Sequence, residues 1–256
     1  CDWEWKGRSG GVIDQQSCGY KVRALPVNAA RIEWEHIVPA SHLGFQRQCW
    51  QQGGRSNCTA NDPFFSLMEA DMHNLTPTIG EVNSDRSNYR FAMVQGNQGM
   101  YGRCTSKTDF KQRYFEPRDE VKGFVARVTF YMHDRYDLRM SEAQQKLLMA
   151  WDKKYPVTSW ELERNRRIAA VMGHDNPFVT GERHWTLGHK NSGAGVRAVQ
   201  KPVATKGAAV KGNRNSRVYH LSHCPSYGAV SERNAVGFKT EKEAKEAGYR
   251  KAKNCR

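Results

Sequence analysis

Between Arg183 and Ser231 the chain contains no Asp or Glu, while eight Lys or Arg fall in the same stretch. A segment whose charges share one sign cannot pair them internally, and it repels itself when compacted. It therefore divides the 256 residues into a large first part and a short basic end. The expected organisation is a main domain over 1–189, a basic flexible linker over 190–216 and a small α/β module over 217–256. Residues 190–256 hold 15 basic and 4 acidic residues, or +11, so of the total +14 the first part keeps 14 − 11 = +3.

Such a basic surplus favours a polyanionic partner, nucleic acid above all. There is no run of 18 apolar residues and no visible signal peptide, so no membrane partner is expected. The chain opens abruptly on Cys1-Asp-Trp-Glu-Trp, which reads as the interior of a domain and suggests a truncated N-terminus. Seven cysteines without a Cys-x-x-Cys motif suit disulfides in an oxidising compartment, hence a secreted or periplasmic protein. Cys49 and Cys58 close a short loop around Gly53-Gly54-Arg55 and are the expected pair. Cys1, Cys18 and Cys104 leave an odd member, and the sequence leaves open which one is unpaired.

Alternating apolar and polar residues over 1–25 suggest short strands, and Arg31 to Val38 reads as a strand stopped by Pro39. Asp62-Pro63 is an N-cap followed by proline at the first helical position, ahead of the apolar face Phe64, Phe65, Leu67, Met68 and Met72. Phe124, Val125, Val128 and Met132 form one stripe of a helix over Val121 to Tyr136. Ser141-Glu-Ala-Gln144 and Thr158-Ser-Trp-Glu161 are capping boxes for two more helices, ending before Pro156 and at Gly173. In the tail, Val218-Tyr-His-Leu is strand-like, and Thr240-Glu-Lys-Glu243 caps a helix ending at Gly248.

The chemistry is concentrated in Arg31-Ile-Glu-Trp-Glu-His-Ile-Val-Pro39. Adjacent Glu35 and His36 can divide the work on a phosphodiester. The carboxylate can hold a divalent cation, and the neutral imidazole can take a proton from water. Alone, such a dipeptide is more often a solvated strand end. Its context is Arg47-Gln-Cys-Trp50, Gly53-Gly-Arg55, Met68-Glu-Ala-Asp-Met-His-Asn-Leu75 and Gly80-Glu-Val-Asn-Ser-Asp-Arg86. That ordered series resembles the bacterial endonuclease I family of periplasmic and secreted non-specific nucleases, over residues 1–180.

The resemblance implies an α+β fold: a ββα-metal (His-Me finger) core with surrounding helices. It implies Mg²⁺, with Mn²⁺ or Ca²⁺ as substitutes, held by Glu35 and Asn83. It makes His36 the general base and Arg55 the phosphate-binding arginine, with 5′-phosphate products. Two oxygen ligands suffice because magnesium keeps several waters. Successive strand residues face opposite sides, so Glu35 and His36 can share a site only if the strand is irregular or ends there. Glu69 and His73 lie four apart on the Asp62 helix and are expected to support the site rather than bind metal. His42 is read as a packing or solvent histidine, Glu33 and Glu81 as surface or supporting carboxylates, and Asp85 and Arg86 as forming structural pairs beside the site. Leu162 stands where the family has a further cysteine, which implies that this bridge is lost.

The tail resembles, more weakly, the metal-binding domain of the Ada DNA-repair proteins. Its four ligand positions read His220, Cys224, Ala252 and Cys255. A structural zinc needs four ligands, so a Cys224–Cys255 disulfide is the expected role. Tyr219, Tyr227, Arg217, Arg233 and Lys239 could meet nucleic acid, while the tyrosines serve equally well as the module's core. The expected function is a monomeric, sequence-nonspecific endonuclease acting on DNA, with RNA open as a second substrate. The rival is a non-catalytic extracellular DNA-binding protein that acts through its tail. Glu35, His36, Arg55 and Asn83 together argue against it. No His-Glu-x-x-His, Gly-x-Ser-x-Gly or P-loop is present.

Overall fold

A computed structural model of the chain describes residues 1–7, 11–200, 210–231 and 234–255. It divides into two units, Cys1–Ala194 and Gly195–Arg256.

The first unit starts with an antiparallel sheet in the order β1-β2-β3-β4, built from β1 (Asp2–Trp5), β2 (Gly11–Asp14), β3 (Arg31–His36) and β4 (Leu75–Ile79). Between β2 and β3 lie α1 (Gln15–Cys18) and α2 (Pro26–Ala29). Asp14 caps α1 by accepting from the amides of Gln16 and Ser17. A Cys1–Cys18 disulfide ties α1 to the chain start, and Cys104 is the free thiol. Between β3 and β4 run α3 (Ala40–Gly44), α4 (Gln48–Asn61), α5 (Pro63–Glu69) and a 3₁₀ turn, Met72–Asn74. After β4 the chain turns into α6 (Gly80–Arg86), which packs on β3 and β4 and completes a ββα unit.

The segment between Cys49 and Cys58 is more regular than the short loop the sequence suggests. It is helical on both sides of a kink at Gly53 and Gly54, and Arg55 starts the second helical piece. Only Gly54 needs glycine's freedom, with φ +65. The Cys49–Cys58 disulfide spans the kink, with its Cα atoms 4.8 Å apart. Asp62 caps α5 by accepting from the amides of Phe64 and Phe65.

A small sheet in the order β5-β7-β6 follows, made of β5 (Arg90–Phe91), β6 (Lys107–Asp109) and β7 (Tyr114–Glu116). Helices α7 (Asp119–Tyr136), α8 (Glu142–Lys154), α9 (Ser159–Met172) and α10 (Pro177–Thr180) complete the unit. Thr158 and Glu161 form the full capping box of α9, and Gly173 closes that helix in the left-handed region. Helix α7 is buried over most of its circumference, because Ala126, Phe130 and Tyr131 are covered as well as the Phe124–Met132 stripe. A one-sided stripe thus understates a helix that neighbours surround.

Arg127, 2% exposed, joins three helices from the middle of α7. It donates to both oxygens of Glu161 (2.9 and 2.6 Å), to Asp152 (2.7 Å) and to the Tyr155 carbonyl (3.0 Å). Breaking such a buried pair costs about 3–5 kcal/mol, because the surviving charge stays buried. One turn earlier a Cβ at Gly123 would lie 2.1 Å from the Tyr155 oxygen, so only glycine permits this approach.

Helix α11 (Ala194–Gln200) straddles the division between the units. The second unit is a four-stranded sheet in the order β10-β8-β9-β11, with β8 (Val210–Asn213), β9 (Val218–Leu221), β10 (Ala235–Phe238), α12 (Glu241–Glu246) and β11 (Arg250–Lys251). Helix α11 and strand β8 both fall inside the 190–216 segment expected to be a linker, while residues 201–209 lie outside the described residues. The reason is packing that composition hides. Val210 is buried in the module's core, and Gly212 lets the rings of Phe238 and Tyr249 close over the strand. Tyr219 is fully buried and donates to Glu241 at 2.7 Å, which makes it core rather than a contact for nucleic acid. Arg233 lies outside the described residues.

Candidate active site

Strand β3 ends at His36, and this resolves the problem posed by adjacent site residues. The last ladder pair is His36 with Leu75. Beyond it the backbone bends, and Asn74 replaces the ladder. Its carbonyl accepts from the Ile37 amide (3.0 Å), its Oδ1 accepts from the Val38 amide (2.8 Å), and its Nδ2 donates to the Val38 carbonyl (3.0 Å). Asn74 itself is fully buried. Glu35 turns toward α6 and His36 toward α5, yet both line one cleft of about 1260 Å³ that wraps the strand end. Asn83 and Arg55 line the same cleft. The four residues singled out in the sequence therefore meet in space.

Each is held by a neighbour that leaves its reactive atoms free. Arg86 on α6, 3% exposed, donates from Nη1 to Glu35 Oε1 (2.5 Å) and to the His36 carbonyl (2.9 Å), and from Nη2 to the Ile37 carbonyl (2.6 Å). One carboxylate oxygen of Glu35 is thereby fixed and the other remains available. Burial raises the Glu35 carboxyl above its ordinary range, against the opposing pull of Arg86. Glu33 accepts from Asn83 Nδ2 at 2.9 Å, which pins the amide so that its oxygen is the atom to offer. A carboxylate oxygen and an amide oxygen make the hard donor set that a small divalent cation takes, and these residues fit one.

On the other side, His36 Nε2 lies 2.8 Å from the main-chain oxygen of Glu69. A carbonyl can only accept, so Nε2 carries the proton and Nδ1 keeps its lone pair. Burial lowers the pKa of His36, which keeps the ring neutral at physiological pH. The Glu69 carboxylate accepts from Arg55 Nε (2.5 Å) and from Thr59 Oγ1 (2.8 Å). Arg55 is thus anchored through Nε, and its terminal nitrogens stay open on a side chain more than half exposed. An arginine held this way can grip a phosphate.

His73 departs from expectation. Helix α5 ends at Glu69, so the four-residue spacing does not put His73 on its face. It sits instead in the 3₁₀ turn, fully buried, with Nε2 donating to the His174 carbonyl at 3.0 Å and its ring 4.8 Å from Tyr131. Of the expected supporting pair only Glu69 reaches the site. Asp85 and Arg86 each form a pair beside the site: Asp85 accepts from Arg23 (2.5 and 2.7 Å) and Tyr101 (2.7 Å), while Arg86 serves Glu35. Glu81 is fully buried and accepts from Tyr20 and three successive amides, Arg23 to Leu25. Asn74 is the site residue the sequence does not reveal. It lies inside the motifs, but nothing local distinguishes it from a surface polar residue, and nothing local says which partner Arg86 takes.

In the second unit Cys224 and Cys255 are joined in a disulfide. The histidine whose nitrogen lies within 4.8 Å of both sulfurs is His223, rather than the expected His220. With both sulfurs bonded to each other, two of those three ligands are spent.

Two family models match different parts of the chain. A family model described as Endonuclease I matches residues 1–182, and one described as ArfC matches residues 190–251. The chain is 52% identical over 180 residues to a protein named periplasmic deoxyribonuclease from Aeromonas hydrophila, covering 70% of this chain and 75% of that one. It is 43% identical over 179 residues to endonuclease-1 of Buchnera aphidicola subsp. Acyrthosiphon pisum, covering 70% and 71%. An extracellular ribonuclease of Bacillus subtilis is 34% identical over 127 residues, 43% of each chain.

Proposed function

The chain belongs to the endonuclease I family, and from that premise we propose that it is a divalent-metal-dependent endonuclease hydrolysing DNA without sequence preference to 5′-phosphate ends. The observation that carries this reading is the convergence of Glu35, His36, Asn83 and Arg55 on one cleft. His36 Nδ1 takes the proton of the attacking water, and the Glu69 carbonyl holds the ring in the tautomer that can do so. Arg55 binds the phosphate and offsets charge that builds on its oxygens. Glu35 and Asn83 hold the cation, Mg²⁺ by their donor chemistry, oriented by Arg86 and Glu33. When bound, the cation supplies further positive charge to the crowded phosphate.

Interactions of this kind address the backbone and carry no base code, which is why no sequence preference is expected. RNA is a second substrate on this reading, supported by the relative named extracellular ribonuclease. The protein is secreted or periplasmic, as relatives named periplasmic and extracellular deoxyribonuclease and three disulfides support. It acts as a monomer. The second unit is a nucleic-acid tether. Residues 195–256 hold fourteen basic and four acidic residues, so 14 − 4 = +10.

Plasmid nicking with and without EDTA tests the reading, with His36→Ala as the control and enzymatic religation to identify the ends. Metal-dependent nicking lost in the variant supports it. DNA binding without any cleavage would favour the non-catalytic binder.

A further inference from the structure

Four of the seven tryptophans are exposed, and three of these, Trp3, Trp34 and Trp160, line the cleft that holds Glu35 and His36. An indole is normally among the more buried side chains, so three on one wall system call for an occupant. Their placement is built. Trp34 projects from β3 opposite Pro77 and is 61% exposed. Trp3 reaches across β2 because residue 11 is glycine. A Cβ there would lie 2.8 Å from Trp3 Cε3 and 3.1 Å from Ile32 Cβ. The far wall is α9, where Trp160 is held edge-on against Phe124 at 5.4 Å. Beneath it Arg164 donates to the carbonyls of Met72, His73 and Leu75, which fixes α9 to the turn before β4.

The cations of this arm are partly committed: Arg164 donates to carbonyls, and Glu163 accepts from both Arg166 and Arg167, which leaves the terminal nitrogens of Arg167 open at the rim. Beside them lies flat π-surface continuous with the site. In a duplex the base faces are buried against one another, so only an unpaired base can lie on an indole. We propose, resting on the nuclease reading above, that Trp3, Trp34 and Trp160 form a stacking platform for unpaired nucleobases beside the cleaved phosphate. It gives the enzyme a foothold on single-stranded nucleic acid separate from its grip on the backbone.

The test is binding in EDTA, which stops metal-dependent turnover. Oligo(dT) and a duplex of equal length are titrated against the full chain, with indole fluorescence and anisotropy as readouts. Oligo(dT) should quench the indoles and the duplex should do so less. Removing each stacking indole should weaken oligo(dT) binding about fivefold or more, while duplex affinity stays within about twofold of the parent. Trp34→Ala is the clean variant, because the residue is exposed and supports little. Trp34→Ala with Trp160→Ala extends the effect, and Trp34→Phe should recover part of it. Equal weakening for both ligands would overturn the platform in favour of a general backbone surface. No weakening for either would overturn it in favour of a face that another segment or protein covers. Plasmid nicking by the parent reports separately on the nuclease reading: active parent with unaltered variants sinks the platform alone, while indole-dependent binding in an inactive parent sinks the nuclease alone.

Discussion

Arg86→Ala should be among the most damaging single changes in the first unit, and its pH dependence should reveal why. The guanidinium is 3% exposed and serves four acceptors: Glu35 Oε1, the carbonyls of His36 and Ile37 and, more distantly at 3.5 Å, that of Ser87. Removing it leaves a largely buried carboxylate without its partner, which costs about 3–5 kcal/mol. At roughly 2–4 °C per kcal/mol for a unit this size, Tm should fall by about 6–20 °C. The sign with pH follows from Glu35. Burial already raises its folded pKa above the ordinary 4.5, so ionising it costs stability as pH rises through the folded value. Without Arg86 the opposing pull is gone and the folded pKa climbs further. The deficit should therefore be largest at neutral pH. It should narrow as pH falls and be smallest below the unfolded value, where the carboxyl is neutral in both states. Scanning calorimetry of oxidised protein across this range, with Glu35→Gln in both backgrounds, isolates the pair. The Glu35→Gln background should recover about 0.5–3 kcal/mol of coupling. If Arg86→Ala costs the same at every pH and the Gln background recovers nothing, Arg86 acts through packing and the electrostatic argument fails. Should the alanine variant not fold, Arg86→Lys, which keeps charge but loses the fork, takes its place in the same series.

Four further outcomes follow from the site. His36→Ala should lower kcat by about 10²–10⁴-fold with DNA binding retained; in the parent the acid limb of activity should fall below pH 6.5, since burial lowers the His36 pKa and only the neutral ring accepts a proton. Glu35→Ala and Asn83→Ala should each raise the Mg²⁺ needed for half-maximal activity or abolish it, and metal titrations matching the parent would move the cation elsewhere. Reduction should inactivate by releasing the Cys49–Cys58 bridge across the Gly53–Gly54 kink that presents Arg55; active protein with both thiols free by mass spectrometry would refute this. Truncation after Ala194 should leave kcat at saturating DNA nearly unchanged while binding weakens, with the salt slope of log affinity reduced by about 0.9 for each phosphate the shortened chain no longer neutralises. The cut belongs there rather than at 190, because Asn191, Ser192 and Gly193 bond to Asp134, Asp137 and Leu138. An unchanged salt slope would mean that the removed +10 does not touch DNA.

Much of the local architecture is legible in the sequence because it rests on short-range rules. The Asp62-Pro63 start, the Thr158–Glu161 box and the Gly173 stop are decided within one helical turn, and the structure has all three. Where the rule is local but the element ends early, the pattern misleads. Helical spacing assigns His73 to a helix that stops at Glu69. The tail strand β8 is hidden for the converse reason, since Val210 and Gly212 matter only against rings from β10 and the segment before β11.

The sequence by itself determined the capped helix starts, the charge division at residue 183 and the candidate residues Glu35, His36, Arg55 and Asn83. Tertiary structure decided what each of them touches. Arg86 reaches Glu35 across 51 positions, Glu33 reaches Asn83 across 50, and Asn74 bends the backbone at Val38 across 36. Pairings at such separations leave no period and no spacing in the chain, because the path between the partners is set by how α3 to α5 fold back between β3 and β4. A sequence pattern records which residues could do the chemistry. Only closure of the chain fixes one oxygen of Glu35, pins the amide of Asn83 and sets the tautomer of His36.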